Sequence, residues 1–383
     1  MKKILHIAND YSGSRVYKEL ISSIDKIGVT QLVFTTIRKK ELDGRNRIVF
    51  NQSESEIYYG KNWNPIHRLS FRLKTISNYN ELIKLTSPKE SGITHTHAHT
   101  LYSDGVLALK LKEEYGIPYS VTVRNTDINL FMKYLVHTWA IGRKILSEAD
   151  HIICVSPAHK NRLLNRYSQY GDKVVNIPNG ISNYWLNNIS CSKKQHKENE
   201  PWNIIYTGNF TRNKNVPALM KAVLKLNEQY HYNICLHIIG DGGNDRDIIS
   251  RLARKWPELF KLHGFIKEKS IICDLYRKSH IFAMPSHHET FGLVYVEAMS
   301  QGLPVLYTKG EGIDGFFDQN YGVSCSPNNI NSIISALKRL IDHYSTFNID
   351  PNYLVKHFNW ENVGRSYVDV FDLYDNNKHI SKQ

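Results

Sequence analysis

Residues 202–240 read "WNIIYTGNFTRNKNVPALMKAVLKLNEQYHYNICLHIIG", and this stretch decides the fold. Two apolar, strand-like runs, "WNIIYTG" and "NICLHIIG", enclose a helical stretch. Proline suits the first turn of a helix, so Val216-Pro217 marks its start. Apolar β-branched runs that alternate with amphipathic helices indicate a parallel sheet covered by helices on both faces.

The same alternation continues through most of the 383 residues, which is too long a chain for one ordinary domain. We therefore predict two doubly wound, Rossmann-like α/β domains that face each other across a cleft. The predicted ranges are 1–185 for the first domain and 186–359 for the second, with a C-terminal helix at 360–383 that packs back on the first. The polar stretch "LNNISCSKKQHKENEP" (186–201) has no periodicity, so we expect a linker or an exposed connection near 184–201.

Composition places the chain among ordinary globular proteins of the cytoplasm. The apolar runs are far shorter than the roughly 20 residues that a bilayer requires. Asp10 interrupts the first run, which we interpret as a buried strand and not as an export signal. The five cysteines are scattered and never form a CxxC pair, which fits a reducing compartment and argues against disulfides.

The net charge of +13 is uneven, because residues 1–190 hold 26 Lys/Arg against 16 Asp/Glu. Such a basic half is compatible with nucleic acid, an anionic membrane surface, an anionic substrate or simply a solvated surface. No helix-turn-helix, RRM or zinc pattern accompanies the charge, so nucleic acid is disfavoured. Basic stretches at 37–47 and 67–74 suit peripheral contact with the anionic inner face of the cell membrane.

Ligands of open parallel sheets bind outside the carboxyl ends of the strands, so each turn after a strand is a candidate site. In "YTGNFTRNKN", Gly208 ends a strand, and Arg212 and Lys214 precede a helix. Cations beside helix N–H groups suit a phosphate, although a flexible polar turn explains the pattern equally well. The glycine-rich turn at Gly240 is weaker, because tight-turn geometry explains it as well as ligand approach does.

The stretch "PSHHETFGLVYVEAM" (285–299) forms a third such turn, with Thr290 as the expected N-cap of the next helix. Glu289 precedes this helix, and Glu297 lies inside its first turns. The backbone N–H groups expected to face a phosphate are those of Phe291, Gly292 and Leu293. The alternative is that both glutamates are only acids favoured by the helix dipole.

His97 and His99 lie two residues apart at a strand end, in "HTHAH". No cysteine or carboxylate close in sequence completes a ligand set, so we expect no metal site. We assign these histidines to acceptor binding instead.

The stretch "ETFGLVYVE", followed by "AMSQGLPV", resembles the Glu-x7-Glu signature of the retaining glycosyltransferases of family 4, which have the two-Rossmann GT-B fold. Other fragments resemble that family in order and spacing: "HAHTLYSDG", "ICVSPAHKNRL", "VVNIPNGI", "YTGNFTRNKN", "IIGDG" and "FNWENVGRSY". The resemblance covers nearly the whole chain. It implies that the C-terminal domain binds a nucleotide-sugar and that the N-terminal domain receives the acceptor.

Site roles follow from the resemblance by position. Glu289 would contact the transferring sugar and Glu297 the ribose. Lys214 and the three N–H groups would hold the diphosphate. Gly13 would approach the diphosphate or the sugar from the other domain. The chain departs from the family at Asn209, where arginine is usual and Arg212 is the candidate substitute. It departs again at Arg124, where many members have the histidine that contacts the sugar.

Asp127, near Arg124, is expected either to bond acceptor or sugar hydroxyls or to cap the next helix. The resemblance implies retention of the anomeric configuration without a metal or cofactor, with Lys214 and helix N–H groups stabilising the leaving diphosphate. The expected donor is a UDP-sugar, and the expected acceptor is a surface polysaccharide or lipid-linked glycan. A nucleotide-sugar epimerase and a non-catalytic partner subunit on the same fold are the alternatives.

Overall fold

The computed structural model describes residues 2–37, 39–61, 70–190, 192–317 and 320–380, with side chains described up to Phe371. The chain divides into two compact units. The first comprises Met1–Val155, His159–Gly180 and Trp360–Gln383, and the second comprises Ser156–Ala158 and Ile181–Asn359. Each unit contains one parallel sheet with helices, which confirms the predicted pair of doubly wound α/β domains. Their arrangement across a cleft stays a prediction.

The first unit contains a seven-stranded parallel sheet in the order β3-β2-β1-β4-β5-β6-β7. Its strands are Lys3–Ile7 (β1), Thr30–Thr36 (β2), Glu56–Gly60 (β3), His95–Ala98 (β4), Tyr119–Val123 (β5), His151–Cys154 (β6) and Val174–Asn176 (β7). Its helices are Arg15–Lys26 (α1), Phe71–Thr86 (α2), Gly105–Tyr115 (α3), Met132–Tyr134 (α4), Trp139–Glu148 (α5) and Pro157–Arg166 (α6), the last of which begins in the second unit. The strand order reverses between β1 and β4, where doubly wound sheets bind ligands.

The second unit contains a six-stranded parallel sheet in the order β10-β9-β8-β11-β12-β13. Its strands are Trp202–Thr207 (β8), Ile234–Ile239 (β9), Phe260–Gly264 (β10), Ile281–Ala283 (β11), Val305–Thr308 (β12) and Gly322–Cys325 (β13). Its helices are Asn183–Asn187 (α7), Val216–Tyr230 (α8), Arg246–Lys255 (α9), Lys269–Lys278 (α10), Leu293–Met299 (α11), Ile330–Asp342 (α12) and Pro351–Phe358 (α13). The order reverses between β8 and β11, so the turns after these two strands are neighbours.

The C-terminal helix, Trp360–Ile380 (α14), belongs to the first unit. Its buried residues Trp360, Val363 and Tyr367 share a hydrophobic cluster with Ile4 of β1 and with α1. The Trp360 ring lies so close to Gly180 that a Cβ there would be 2.6 Å from it. Only glycine at position 180 leaves room for the Trp360 indole to pack against this part of the backbone.

The described residues of the polar stretch near 184–201, which are 184–190 and 192–201, are mostly exposed or half-buried, but two side chains anchor them to the second unit. Trp185 is 1% exposed and belongs to the second core. The Lys193 ammonium donates to the carbonyls of Tyr344 and Ser345 at 3.0 and 2.9 Å. Polar side chains here satisfy backbone groups of the second unit, and the chain passes between the units after Gly180 instead.

Among the described residues, no helix combines the length and apolar character needed to cross a bilayer. Arg38 and residues 62–69, which hold part of the two basic stretches assigned to a membrane surface, lie outside the described residues.

Candidate functional site

Two loops meet at the carboxyl ends of β8 and β11, which pair directly through Ile204 and Ile281. Asn213 joins these loops. Its side-chain amide donates to the carbonyl of His288 at 2.8 Å, and its side-chain oxygen accepts from the N–H of His288 at 3.0 Å. The N–H of His287 donates to the Asn213 carbonyl at 2.7 Å. These reciprocal bonds fix one loop against the other. This role of Asn213 was not predicted from the sequence.

Lys214 and Glu289 form an ion pair where the two loops meet. The Lys214 ammonium donates to Oε2 of Glu289 at 2.6 Å, although the residues are 75 positions apart in sequence. Their side chains are only 19% and 14% exposed, so solvent screens this pair less than a typical surface pair. The structure thus brings together two residues that the sequence analysis assigned to one site.

Glu311 completes this cluster and was not predicted. Its side chain is 3% exposed, and Oε2 accepts from the backbone N–H of Glu289 at 3.0 Å. Its other oxygen lies 3.1 Å from Nδ1 of His288. Glu311 follows β12, the strand next to β11, so its place in the turn after a strand was the available signal.

Backbone geometry explains two of the predicted glycines. Gly292 has φ +81° and is the N-cap of α11, so the expectation of Thr290 as N-cap is wrong. Gly240 has φ +147°, and a Cβ there would be 1.8 Å from the carbonyl oxygen of Gly208. The backbones of the turns after β8 and β9 pass so close to each other that position 240 requires glycine. This requirement does not depend on a ligand. Phe291, whose ring is buried, and Leu293 flank Gly292 at the helix start.

Glu297 lies inside α11 among different neighbours from those of Glu289. Burial raises the pKa of its carboxyl to about 7, and the Lys269 ammonium and the Trp185 indole partly offset the rise. Lys269 also donates to the hydroxyl of Ser182 at 2.5 Å. A carboxyl with a pKa near neutrality can change its charge on contact with a ligand.

Asn209 and Arg212 are both exposed on the loop after β8. The Asn209 side chain accepts from the hydroxyl of Thr211 at 3.0 Å, and its carbonyl accepts from the hydroxyl of Tyr206 at 2.7 Å. Arg212 begins a short 3-10 turn, Arg212–Lys214. Family members usually have arginine at the position of Asn209. That Arg212 takes over the role of this arginine stays a prediction.

In the first unit, Asp127 ties two turns together. Its carboxylate accepts from the backbone N–H groups of Arg124 and Leu101 at 2.9 and 3.1 Å, and burial raises its pKa to about 6. The Arg124 guanidinium donates to the carbonyl of His99 at 2.9 Å and lies 4.8 Å from the Tyr17 ring. The N–H partners of Asp127 precede the helical segment that starts at Asp127, which has no side-chain cap, so Asp127 does not cap that helix and its contact with acceptor or sugar hydroxyls stays a prediction.

The remaining predicted residues of the first unit lie at the carboxyl ends of β1 and β4. Gly13 is exposed at the end of a 3-10 turn that follows β1. The rings of His97 and His99 are fully buried, and both contact a third ring, that of His6. This burial gives an acceptor no access to the two imidazoles in the structure, so their acceptor role stays a prediction.

Comparison with known proteins gives matches to both halves of the chain. Residues 13–183 match the family model described as Glycosyltransferase Family 4, and residues 189–349 match the model described as Glycosyl transferases group 1. A glycosyltransferase of Methanocaldococcus jannaschii is 23% identical over 72% of this chain and 74% of its own length. The O-antigen chain mannosyltransferase B of Escherichia coli is 22% identical over 60% and 62%.

Solved structures share the fold of both units. Sucrose-phosphate synthase from Thermosynechococcus elongatus matches with a TM-score of 0.75 and 17% identity, over 98% of this chain and all of that one. HepE of Anabaena, solved in complex with UDP-glucose, matches with a TM-score of 0.67 and 15% identity, over 97% of this chain and all of that one. With the two family models matched in order along most of its length, the chain belongs to the family 4 and group 1 glycosyltransferases, which have the GT-B fold.

Proposed function

We propose that this chain is a retaining glycosyltransferase that moves a hexose-type sugar from a UDP-sugar to a growing surface polysaccharide or lipid-linked glycan. The observation that carries the proposal is the Lys214–Glu289 pair, held by Asn213 at the carboxyl ends of two adjacent strands. The complex of HepE with UDP-glucose supports the donor class. The relationship to an O-antigen mannosyltransferase supports the acceptor class.

In this proposal Lys214 binds the donor diphosphate, assisted by Arg212 and by the N–H groups at the start of α11. Glu289 then accepts hydrogen bonds from hydroxyls of the transferring sugar, and Glu297 accepts them from the ribose. The turns at Gly208 and Gly240, with Asn209, form the wall beside the diphosphate. Because Asn213 and Glu311 fix Lys214 and Glu289 before a donor arrives, the site requires little rearrangement to bind one.

The proposed reaction breaks the bond between the sugar's anomeric carbon and the diphosphate oxygen. Negative charge grows on that oxygen, and Lys214 stabilises it with a charge already in place. The acceptor hydroxyl attacks from the same face and gives its proton to the departing phosphate, so the configuration is retained. No metal or cofactor takes part in this scheme.

The first unit would supply the acceptor side of the site. Arg124 is a cation for the diphosphate or for an anionic acceptor, and Asp127 holds the backbone of Arg124 in place. Gly13 completes the residues proposed for this side, and the fully buried His97 and His99 have no part in it. The positive charge of residues 1–190 favours a lipid-diphosphate acceptor at an anionic membrane surface.

A thermal-shift panel with UDP, GDP and ADP tests the proposed donor site. We expect one nucleotide, UDP, to raise the Tm of the wild type. Lys214→Ala should lose this rise, and Lys221→Ala, an exposed lysine on α8, should keep it. A rise that survives in Lys214→Ala would place the nucleotide elsewhere, and no rise with any nucleotide would contradict the donor site.

Product analysis tests the reaction itself. Proton NMR of the product should show the same anomer as the donor, and an inverted anomer would exclude retention. Incubation with the UDP-sugar alone should leave the sugar unchanged except for slow hydrolysis. A changed sugar without an acceptor would instead identify an epimerase.

A further inference from the structure

Three histidine rings converge inside the first unit. His6 of β1 lies opposite His97 of β4 in the strand ladder, and His99 follows β4. Nδ1 of His6 is 3.1 Å from Nε2 of His99 and 3.3 Å from Nδ1 of His97. All three rings are fully buried, and one nitrogen from each lies within 4.8 Å of the others.

The outer ring nitrogens of the cluster differ in their surroundings. Nε2 of His97 lies 2.8 Å from the Thr122 hydroxyl. Nε2 of His6 and Nδ1 of His99 are buried without a hydrogen-bond partner. Metal-bound histidines typically donate their second ring N–H to a polar group, and Thr122 is placed to accept it from His97.

The spacing of the ring nitrogens suits a metal of the zinc class. Zinc–nitrogen bonds of about 2.0–2.1 Å in a tetrahedral site put the nitrogens roughly 3.3 Å apart. The two distances from Nδ1 of His6, 3.1 and 3.3 Å, are close to this value. Three imidazoles leave a fourth position for water.

Tyr17 packs edge-on against His99, with 5.1 Å between the ring centroids. An aromatic ring therefore lies beside the cluster on the side of α1.

We propose that His6, His97 and His99 form a zinc-class metal site that ties β1 to β4 beneath the C-terminal helix. The rings of Tyr367 and Phe371 on α14 cover the cluster, at 5.2 and 5.5 Å from the His97 ring. The site stabilises the first unit where its strand order reverses. It is independent of the donor-site proposal, because no residue of the second unit contributes a ligand.

The metal content of untagged, full-length protein produced in zinc-supplemented medium tests this proposal. We expect about one zinc ion per chain. A strong chelator should remove it slowly and lower the Tm, and Zn²⁺ should restore the Tm. Co²⁺ in place of zinc should give the intense visible absorption of a tetrahedral site. Wild-type protein without bound zinc and without a Zn²⁺-dependent Tm would overturn the proposal.

A matched pair of variants locates the ion. His97→Asn should weaken zinc binding by more than about 100-fold, because even the loss of an outer partner costs about 10–100-fold. His95→Asn should keep the metal, since His95 is equally buried on β4 but lies outside the cluster, with Nε2 3.0 Å from the Ser120 hydroxyl. Zinc retained in His97→Asn would refute the site.

X-ray absorption of the wild-type zinc protein gives the ligands directly if His97→Asn does not fold. Three imidazole nitrogens are expected. A sulfur ligand would show that a cysteine binds the ion and would refute the proposal.

Discussion

The pairing of Lys214 with Glu289 depends on residues that do not themselves carry the proposed chemistry. Asn213 and Glu311 hold the backbone of the loop that presents Glu289. Motif spacing identified Lys214 and Glu289, because both follow strands that the sequence predicts. It missed Asn213 and Glu311, because a hydrogen bond between turns depends on which strands are neighbours. His6 was missed for the same reason, being 91 residues from His97.

Removing the Glu311 carboxylate should destabilise the second unit and misplace Glu289. In Glu311→Ala the N–H of Glu289 loses its acceptor, and an unsatisfied buried donor costs about 1–3 kcal/mol. We expect urea unfolding to show a loss in this range and transferase activity to fall. Glu228→Ala, an exposed glutamate of α8, is the control and should leave both unchanged. Equal stability of the two variants would contradict the role of Glu311.

Glu297 should make stability depend on pH near neutrality. Its pKa is about 7 in the folded chain against an ordinary 4.5, so the folded state binds the proton more tightly than the unfolded chain does. This contribution is complete below pH 4.5 and is lost as pH rises through about 7. Glu297→Gln cannot titrate at this position, so its free energy of unfolding should lack this decrease with rising pH.

Urea unfolding of wild type and Glu297→Gln between pH 5 and 8 measures the difference. The two free energies of unfolding should converge or cross as the wild type loses stability with rising pH. Parallel curves would show that Glu297 titrates normally.

At the scale of elements, the sequence predicts a C-terminal helix that packs back on the first domain, and α14 lies with the first unit. Its first turns share a core with α1 and β1, at the other end of the chain. The stretch before β8 shows the opposite case, because its polar composition predicted a linker while Trp185 and Lys193 pack it onto the second unit. A single buried tryptophan and a lysine bonded to carbonyls leave no periodic signal in sequence.

Truncating Trp360 should test how strongly α14 holds to the first unit. The indole is 5% exposed and packs against Gly180, so Trp360→Ala leaves a cavity and should cost about 3–5 kcal/mol. Thermal and urea unfolding measure this cost. Arg365→Ala changes an exposed position of the same helix and should cost little. Similar values for both variants would mean that the helix adds little to the stability of the unit.

At the scale of the whole molecule, alternation of strands and helices predicted both sheets correctly. Parallel strands buried on two faces have a strong apolar signature, and their order follows the usual rules for such folds. Helix boundaries were predicted less accurately than the strands. Thr290 was expected as the N-cap of α11, but the N-cap is Gly292, whose positive φ a glycine adopts readily.

Net charge of the first half should govern binding to membranes. Flotation with vesicles that contain anionic lipid should recover the protein at low salt, and neutral vesicles should not. Binding should fall as salt rises, because screening shortens the reach of surface charges to about 10 Å at 0.1 M. Absence of binding at every salt concentration would contradict a peripheral role.

The ion pair of Lys214 and Glu289 also has a consequence for competition inside a cell. Inorganic phosphate and other small anions are abundant there, and an unpaired lysine beside a helix start would attract them. In this site such an anion can bind the Lys214 ammonium only by breaking the ion pair, which leaves the Glu289 carboxylate without its partner. A nucleotide-sugar offers phosphate oxygens to one partner and hydroxyls to the other, so it compensates both. If the proposed function is right, the resting pair favours a nucleotide-sugar over small anions, which satisfy only one of the two partners.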